Sequence, residues 1–334
     1  MTAISYKLLL INHIIFLFGI VLTIESFAQD NSLYKNLIEE ANKLYESKDF
    51  IRSAYKYSEA FKVASDIVPT QDRILAANSW AQANLLDSAF NQLFIVTRDS
   101  NFTDYIWLSM HQPGLNTLHA DSRWNIIIEK IKNNFLANGK NLNNLLVNTL
   151  DSVYIRDQSF QQQYFETVNK YGNESIEFKE FSNMMRQEYS ENLRIVKEIL
   201  DQHGWLGKEI VGHYGNRALF LAIQHSDLET QEKYLPIMRE AVNKGNADPA
   251  NLALLEDRVA VRQGRMQIYG TQLEYDKEKG ELFVLPLEDP DNVDKRRAGI
   301  GLEKFEDYLS KHGIRWDVEE YKNSLPGLLQ KFKK

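Results

Sequence analysis

The spacing of small and aromatic residues between positions 30 and 135 constrains the fold more than any other feature of the sequence. Apolar side chains recur there every three to four residues, which is the period of a helix with one buried face. Small side chains let two such helices approach, and aromatic ones fill the gap between them. The positions that carry this pattern are Ala41, Leu44, Phe50, Ser53, Tyr57 and Ala60, then Ala77, Trp80, Leu86, Ala89 and Leu93. The first part of the chain is therefore predicted to consist of helices in pairs.

The distance between the two sets favours a repeat. Ala41 and Ala77 stand 36 positions apart, close to the length of about 34 residues of a tetratricopeptide unit, which this region resembles. A third, degenerate pair from about 103 to 132 would cap the array, since such arrays need at least about three units. We predict repeats over 29–138, with a concave face for a peptide or protein partner. The alternative is a plain helical bundle.

The first 28 residues have the pattern of a signal peptide. Lys7 precedes an apolar run from Leu8 to Ile24, and Ser26-Phe27-Ala28 offers small residues at the two positions that a signal peptidase reads. Cleavage would leave Gln29 first and no membrane span. The alternative is a retained anchor, because 17 apolar residues approach the lower limit for crossing a bilayer. We expect an exported protein, periplasmic or secreted.

The chain has no cysteine and a net charge of -7. Disulfide scaffolds, zinc–thiolate sites, iron–sulfur clusters and cysteine nucleophiles are excluded, so an exported chain of this type must be held by its core. The acidic balance argues against a nucleic-acid partner. Irregular spacing among His203, His213, His225 and Asp227 argues against a metal site. No cofactor is expected.

An asparagine-rich stretch from 133 to 144 favours turns and marks a boundary near 138–145. Helical periodicity then returns, with segments predicted at 145–171, 177–202, 215–225, 229–244 and from Asp248-Pro249 to Gly264. Extended patterns on both sides of the polar turn 277–280 predict a β-hairpin within 266–287, and 291–298 and 302–311 return to helix. The predicted fold class is mainly α, with a mostly helical domain over 145–325 that carries one small hairpin.

Seven short motifs in this domain occur together in order. They are Asp157-Gln158, His203-Gly204-Trp205, Val211-Gly212, Gln224-His225-Ser226-Asp227, Asp257-Arg258, the run 264–272, and Arg296-Arg297 followed by Gly301-Leu302. In these motifs the stretch 152–321 resembles an uncharacterised bacterial domain family, whose members often follow a signal peptide and a repeat region. Leu206 and Gln161 depart from the family pattern, which has proline and arginine there. The resemblance implies a fold but no chemistry.

His225 is the candidate acid or base. It ends an apolar helix, and Asp227 follows two residues later, so the carboxylate could orient the imidazole if the helix stops at His225. The alternative interpretation is that His225 caps the helix and satisfies its last carbonyls.

Several polar side chains are candidates for ligand binding. Arg258 and Arg262 lie one helical turn apart and suit a carboxylate or phosphate. In a strand, Gln267, Tyr269 and Thr271 would share one face. The complete candidate set is Asp257, Arg258, Arg262, Gln267, Tyr269, Gln272, Arg296 and Arg297. Internal ion pairs for Asp257 and Arg258, and a solvated helix face for the two later arginines, are the alternatives.

Two functional hypotheses follow. The first is an exported binding or interaction protein with a repeat region and a C-terminal domain that binds a small polar or anionic ligand. The second is a hydrolase-like enzyme that acts on an anionic or sugar-containing substrate and uses His225 as acid or base.

Overall fold

The computed structural model describes residues 32–64, 67–276 and 280–332. The predicted signal peptide lies outside these residues. The described chain is mainly α-helical and forms two compact units, one up to Gly139 and one from Lys140. The first is called the N-terminal unit and the second the C-terminal unit below. The predicted fold class is confirmed.

Helices in the N-terminal unit follow one another in pairs, with a shorter and less regular third group. Their bounds are α1 (32–46), α2 (Phe50–Val63), α3 (Thr70–Gln82), α4 (Leu86–Val96), α5 (Tyr105–Met110), a 3-10 turn (Pro113–Leu118) and α6 (Ser122–Asn138).

Small residues allow these helices to pack closely. Ala41, Tyr57 and Ala76 form a buried cluster that joins α1, α2 and α3. Ser53 is fully buried between helices, and its hydroxyl donates to the carbonyl of Ala41 at 2.8 Å. The hydroxyl of Ser79 lies 2.9 Å from that of Ser53. The polar atoms of these buried serines are thus paired with neighbouring helices.

The C-terminal unit begins with five helices of fourteen residues or more. They are α7 (Asn144–Tyr171), α8 (Ile176–His203), α9 (Lys208–Gln224), α10 (Leu228–Asn243) and α11 (Pro249–Arg262). Gly172 and Gly204 end α7 and α8 with positive φ, as their positions in the sequence predicted. None of the helices described here is both long and apolar enough to cross a membrane.

Helix α9 is interrupted by a kink. Gly212 has φ 74° and ψ 170°, a conformation that is almost confined to glycine. The helix therefore starts at Lys208 and resumes at His213, whereas the predicted segment began only at 215. The kink gives α9 two segments with different directions.

The β-structure is a hairpin of two short strands. Strand β1 (Leu273–Asp276) pairs antiparallel with β2 (Glu281–Val284). The predicted extended segment from 266 to 272 is not part of β1 and forms a loop instead. The polar row expected on one strand face is therefore absent there, because Gln267, Tyr269 and Thr271 belong to this loop.

The remaining helices cover the hairpin. They are a 3-10 turn (Pro290–Asn292), α12 (Val293–Ala298), α13 (Phe305–Ser310) and α14 (Val318–Phe332). Their core consists of Val284, Leu287, Val293, Phe305, Leu309 and Tyr321. Gly270 has φ 74°, and a Cβ there would lie 2.5 Å from the ring of Phe305, so the loop meets this core without a side chain.

Candidate functional site

His225 lies at the C-terminal end of α9 and pairs with a carboxylate from another helix. Its Nδ1 is 2.7 Å from Oδ2 of Asp157, on α7. Asp157 is 1% exposed, and Gln158 donates to its other oxygen at 2.8 Å. A carboxylate partner holds the imidazole proton on Nδ1 and fixes the ring orientation. Nε2 has no hydrogen bond to any of the described residues, and the side chain keeps 17% of its surface exposed.

One face of the imidazole is covered by Tyr189 of α8. The two rings are stacked, with centroids 5.0 Å apart and planes at 17°. Gln161 donates to the Tyr189 hydroxyl at 2.7 Å. Burial, and secondarily the charge of Asp157, raise the pKa of Tyr189 to about 12, so the phenol stays neutral. Three helices thus position the His225 ring.

Asp227 has a different place from the one predicted. Its carboxylate accepts from the backbone N–H of Thr230 at 2.7 Å and caps the first turn of α10. This hydrogen bond is the main reason why the pKa of Asp227 is lowered. The carboxylate beside His225 Nδ1 belongs to Asp157 instead, because the turn after α9 directs Asp227 into the new helix.

Arg258 and Arg262 donate to carbonyls on either side of His225. Arg258 reaches the carbonyl of Gln224 at 3.1 Å, and Arg262 reaches that of Ser226 at 2.7 Å. Cations at a helix C-terminus are favourable, because the last carbonyls lack partners within the helix. Arg258 also donates to Oε1 of Gln272 at 3.1 Å. Burial, and then the neighbouring Arg262, lower the pKa of Arg258.

Asp257 is fully buried and organises the loop 264–272. It accepts from the backbone N–H groups of Ile268, Tyr269 and Thr271 at 2.7, 3.0 and 2.9 Å, and from the Thr271 hydroxyl at 2.9 Å. Burial raises the pKa of Asp257, and these hydrogen bonds oppose that shift. Its described partners are thus the loop backbone and one hydroxyl, with no ion pair to Arg258.

Gln267 fixes the same loop from within. It is fully buried, and its amide donates to the carbonyls of Gln272 and Leu285 at 3.0 and 2.9 Å. Its Oε1 accepts from the Gln272 backbone N–H at 2.8 Å. All of these bonds are internal to the unit.

Arg296 and Arg297 hold carbonyls of the loop. Arg296 donates to Ile268 at 2.8 Å, and Arg297, 1% exposed, donates to Tyr269 at 2.8 Å. The Tyr269 side chain is half-buried, and burial raises its pKa. The alternative of a solvated helix face for both arginines is wrong for Arg297, because its side chain is buried.

Sequence reasoning found His225 but missed its neighbours. Asp157 precedes His225 by 68 positions, so no local spacing joins them. Asp157-Gln158 is one of the seven motifs of the domain, and this motif is the one signal in the sequence that points to Asp157. Nothing in the sequence distinguished Tyr189 from other aromatic residues of a helix.

Two clefts lie elsewhere in the C-terminal unit. One, of ≈ 360 Å³, is lined by α9 and the start of α11, and the other runs along α8 from Ser190 to Gln202. Neither is lined by His225 or Arg258. In the part of the chain that the structure describes, no three His, Asp or Glu residues are grouped to hold a metal ion.

Comparison with known proteins gives one match. A family model described as "Family of unknown function (DUF6624)" matches residues 145–315. No curated protein and no solved structure matches the chain.

Proposed function

The chain belongs to this family of unknown function, and we propose that it is an exported binding protein whose C-terminal unit binds a small polar or anionic ligand at His225. In this proposal the helix pairs of the N-terminal unit contact a peptide or protein partner. The observation that carries the ligand site is the Asp157–His225 pair, in which Nδ1 is held at 2.7 Å and Nε2 has no hydrogen bond to a residue that the structure describes.

The fixed imidazole suits recognition of a ligand. Because Asp157 and Tyr189 hold the ring in one orientation, Nε2 can form a hydrogen bond without further loss of side-chain freedom. Arg262 is exposed and uses one of its five N–H donors on Ser226, so other donors remain for an anionic group. With the proton on Nδ1, Nε2 accepts a hydrogen bond, so these features favour a ligand that offers a donor such as a hydroxyl to Nε2 and an anionic group to Arg262.

Buried polar atoms in the same helices also support a polar site. Both amide atoms of Asn192, one turn beyond Tyr189 on α8, and Oε1 of Gln224 have no hydrogen-bond partner among the described residues. Buried amide groups are nearly always paired in proteins, with protein atoms or with bound molecules. Asn192 follows Tyr189 by three positions and Gln224 precedes His225, so these unpaired atoms belong to the two segments that form the proposed site.

The proposal is tested by a thermal-shift screen of anionic metabolites and peptidoglycan fragments, followed by calorimetric titration of each hit. In His225→Asn the side-chain amide still donates to Asp157, but Nε2 is removed. We expect the hits to bind this variant about two- to tenfold more weakly, the loss of one neutral hydrogen bond. His203→Asn, at an exposed histidine without a described partner, should bind like the wild type. Equal affinity of His225→Asn and wild type would contradict the proposal.

A second candidate is acid–base catalysis, which the same pair favours. A carboxylate that orients a histidine through Nδ1 leaves Nε2 free to take or give a proton. If a screened compound is hydrolysed, His225→Asn and Asp157→Asn should both lower kcat by about 10² or more. Binding without turnover by the wild type would leave the binding function as the better description.

A further inference from the structure

A basic cleft lies at the opposite end of α9 from His225. It has a volume of ≈ 360 Å³, and its lining includes Lys208, His213, Arg217, Asn216 and Asn251. Within the described residues, Lys208, His213 and Arg217 form no ion pair and no side-chain hydrogen bond. The two cations among them, Lys208 and Arg217, line one cavity, and an anion would complete this charge arrangement.

The kink in α9 brings these basic groups together. Because the second segment of the helix starts after Gly212, His213 and Arg217 are one turn apart and share a face. Lys208, in the first turn of the other segment, lines the same cavity. The two segments thus contribute one cation each, Lys208 and Arg217, to the lining of the cleft.

Asn251 supplies an independent indication of a ligand. It lines the cleft, is only 7% exposed, and makes no side-chain hydrogen bond to any of the described residues. Its NH₂ group is therefore a donor that a bound oxyanion would accept from.

The polar rim of the cleft is already fixed. Asn216 donates to the carbonyls of Leu206 and Asn246, both at 2.7 Å, which connects the start of α9 to the turn before α11. Asp248 is the acidic residue of the lining, and its carboxylate accepts from the backbone N–H of Ala250 at 2.8 Å as the cap of α11. With Lys208 and Arg217 against this one carboxylate, the lining of the cleft keeps a net positive charge.

We propose that this cleft binds the phosphate group of a small organic phosphate, with Lys208 and Arg217 pairing with the phosphate oxygens and Asn251 donating a hydrogen bond. The volume lies within the range of small-molecule sites, about 300–1,000 Å³, and leaves room for an organic substituent. His213 and His225 are separated by twelve residues of α9, roughly 18 Å along a helix axis. The phosphate site is thus distinct from the proposed ligand site at His225.

The test is calorimetric titration of the full chain with inorganic phosphate and with glycerol phosphate at constant ionic strength. We expect saturable binding of both, weakened at least about fivefold by Lys208→Gln and by Arg217→Gln. Asn251→Asp, which places a carboxylate in the cleft at almost unchanged size, should abolish binding. His225→Asn should leave phosphate binding unchanged, so failure here and failure of the His225 proposal can be told apart.

Lys295→Gln is the matched control. Lys295 is an exposed lysine of the same unit without a described partner, and its substitution changes the net charge by the same amount as Lys208→Gln. It should leave affinity within twofold of wild type. Absence of saturable phosphate binding, equal weakening by Lys295→Gln, or binding of acetate but not phosphate would overturn the proposal. Circular dichroism and thermal melts of each variant identify any loss of folding.

Discussion

Two buried charged side chains of the C-terminal unit, Asp257 and Arg297, are satisfied mainly by backbone groups. Asp257 accepts from three backbone N–H groups and one hydroxyl, and Arg297 donates to the carbonyls of Tyr269 and Glu303. The guanidinium carbon of Arg297 also lies 5.3 and 4.9 Å from the ring centroids of Phe305 and Tyr308. Such groups fix a backbone conformation, because each loses its partners if the loop moves.

Substitution of Asp227 tests whether this residue has a structural role as a helix cap or a catalytic role. We expect Asp227→Ala to lower the free energy of unfolding by about 1 kcal/mol at pH 7, as for other N-caps. The cap lowers the pKa of Asp227 below its ordinary value of 3.8. Its contribution is therefore present above the unfolded-state pKa and is lost as the pH falls through the folded-state pKa. Urea unfolding of both proteins between pH 2.5 and 7 measures this difference.

Glu180→Ala provides the comparison for Asp227→Ala, because Glu180 is an exposed carboxylate in the second turn of α8 with no described partner. It should change stability by less than about 0.5 kcal/mol at every pH. A stability difference for Asp227→Ala that persists unchanged at pH 2.5 would contradict the capping role. An effect on ligand affinity or turnover without any effect on stability would return Asp227 to the catalytic role predicted from the sequence.

Local sequence pattern identifies only some of the residues around His225. His225 can be identified as a candidate from the sequence, because a histidine at the end of an apolar helix is conspicuous. Its partner Asp157 comes from a different helix, α7. Asp227, two residues away, was the nearest carboxylate in sequence and the wrong one in space. Tertiary packing chooses between such partners, and periodicity contains no information about it.

Helix ends were predictable where a residue type has a local cause. Gly172 and Gly204 adopt positive φ, and Asp248-Pro249 caps and starts α11. The predicted start of α9 is too late, because a glycine inside a helical pattern is typical of a helix end. In the structure Gly212 instead permits a kink, and the helix begins before it. The segment 266–272 was predicted as strand from its alternation, but Asp257 and Gln267 bind its backbone groups and hold it as a loop.

Gly212→Ala tests the kink. An alanine at φ 74° and ψ 170° is strained, and we expect a loss of stability of about 1–3 kcal/mol. Gly299→Ala is the control, because Gly299 has φ -62° and the nearest contact of an added Cβ is an ordinary 3.4 Å. That change should be neutral or slightly stabilising. Equal thermal midpoints for the two variants would show that an alanine at position 212 is not strained, so that the kink does not require glycine.

At the scale of the whole molecule, the proposed export has a direct test at the predicted cleavage site, Ser26-Phe27-Ala28. We expect the protein recovered from the periplasm or medium of a bacterial host to begin at Gln29, as mass spectrometry would measure. Ala28→Leu, which removes a small residue from the cleavage site, should leave the leader attached. Recovery of the wild-type chain with residues 1–28 intact would favour the alternative of a retained anchor.

The two adjacent arginines of α12, Arg296 and Arg297, have a consequence for the order of folding. Arg297 and the Tyr269 carbonyl are 28 positions apart, as are Arg296 and the Ile268 carbonyl. Closing a chain segment of this length carries an entropy cost that the hydrogen bonds offset only when α12 and the loop are both formed. We therefore expect the contacts between α12 and the loop 264–272 to form late, after both have formed, and a slow phase in refolding of the C-terminal unit, measured by stopped-flow fluorescence, should be altered by Arg297→Gln.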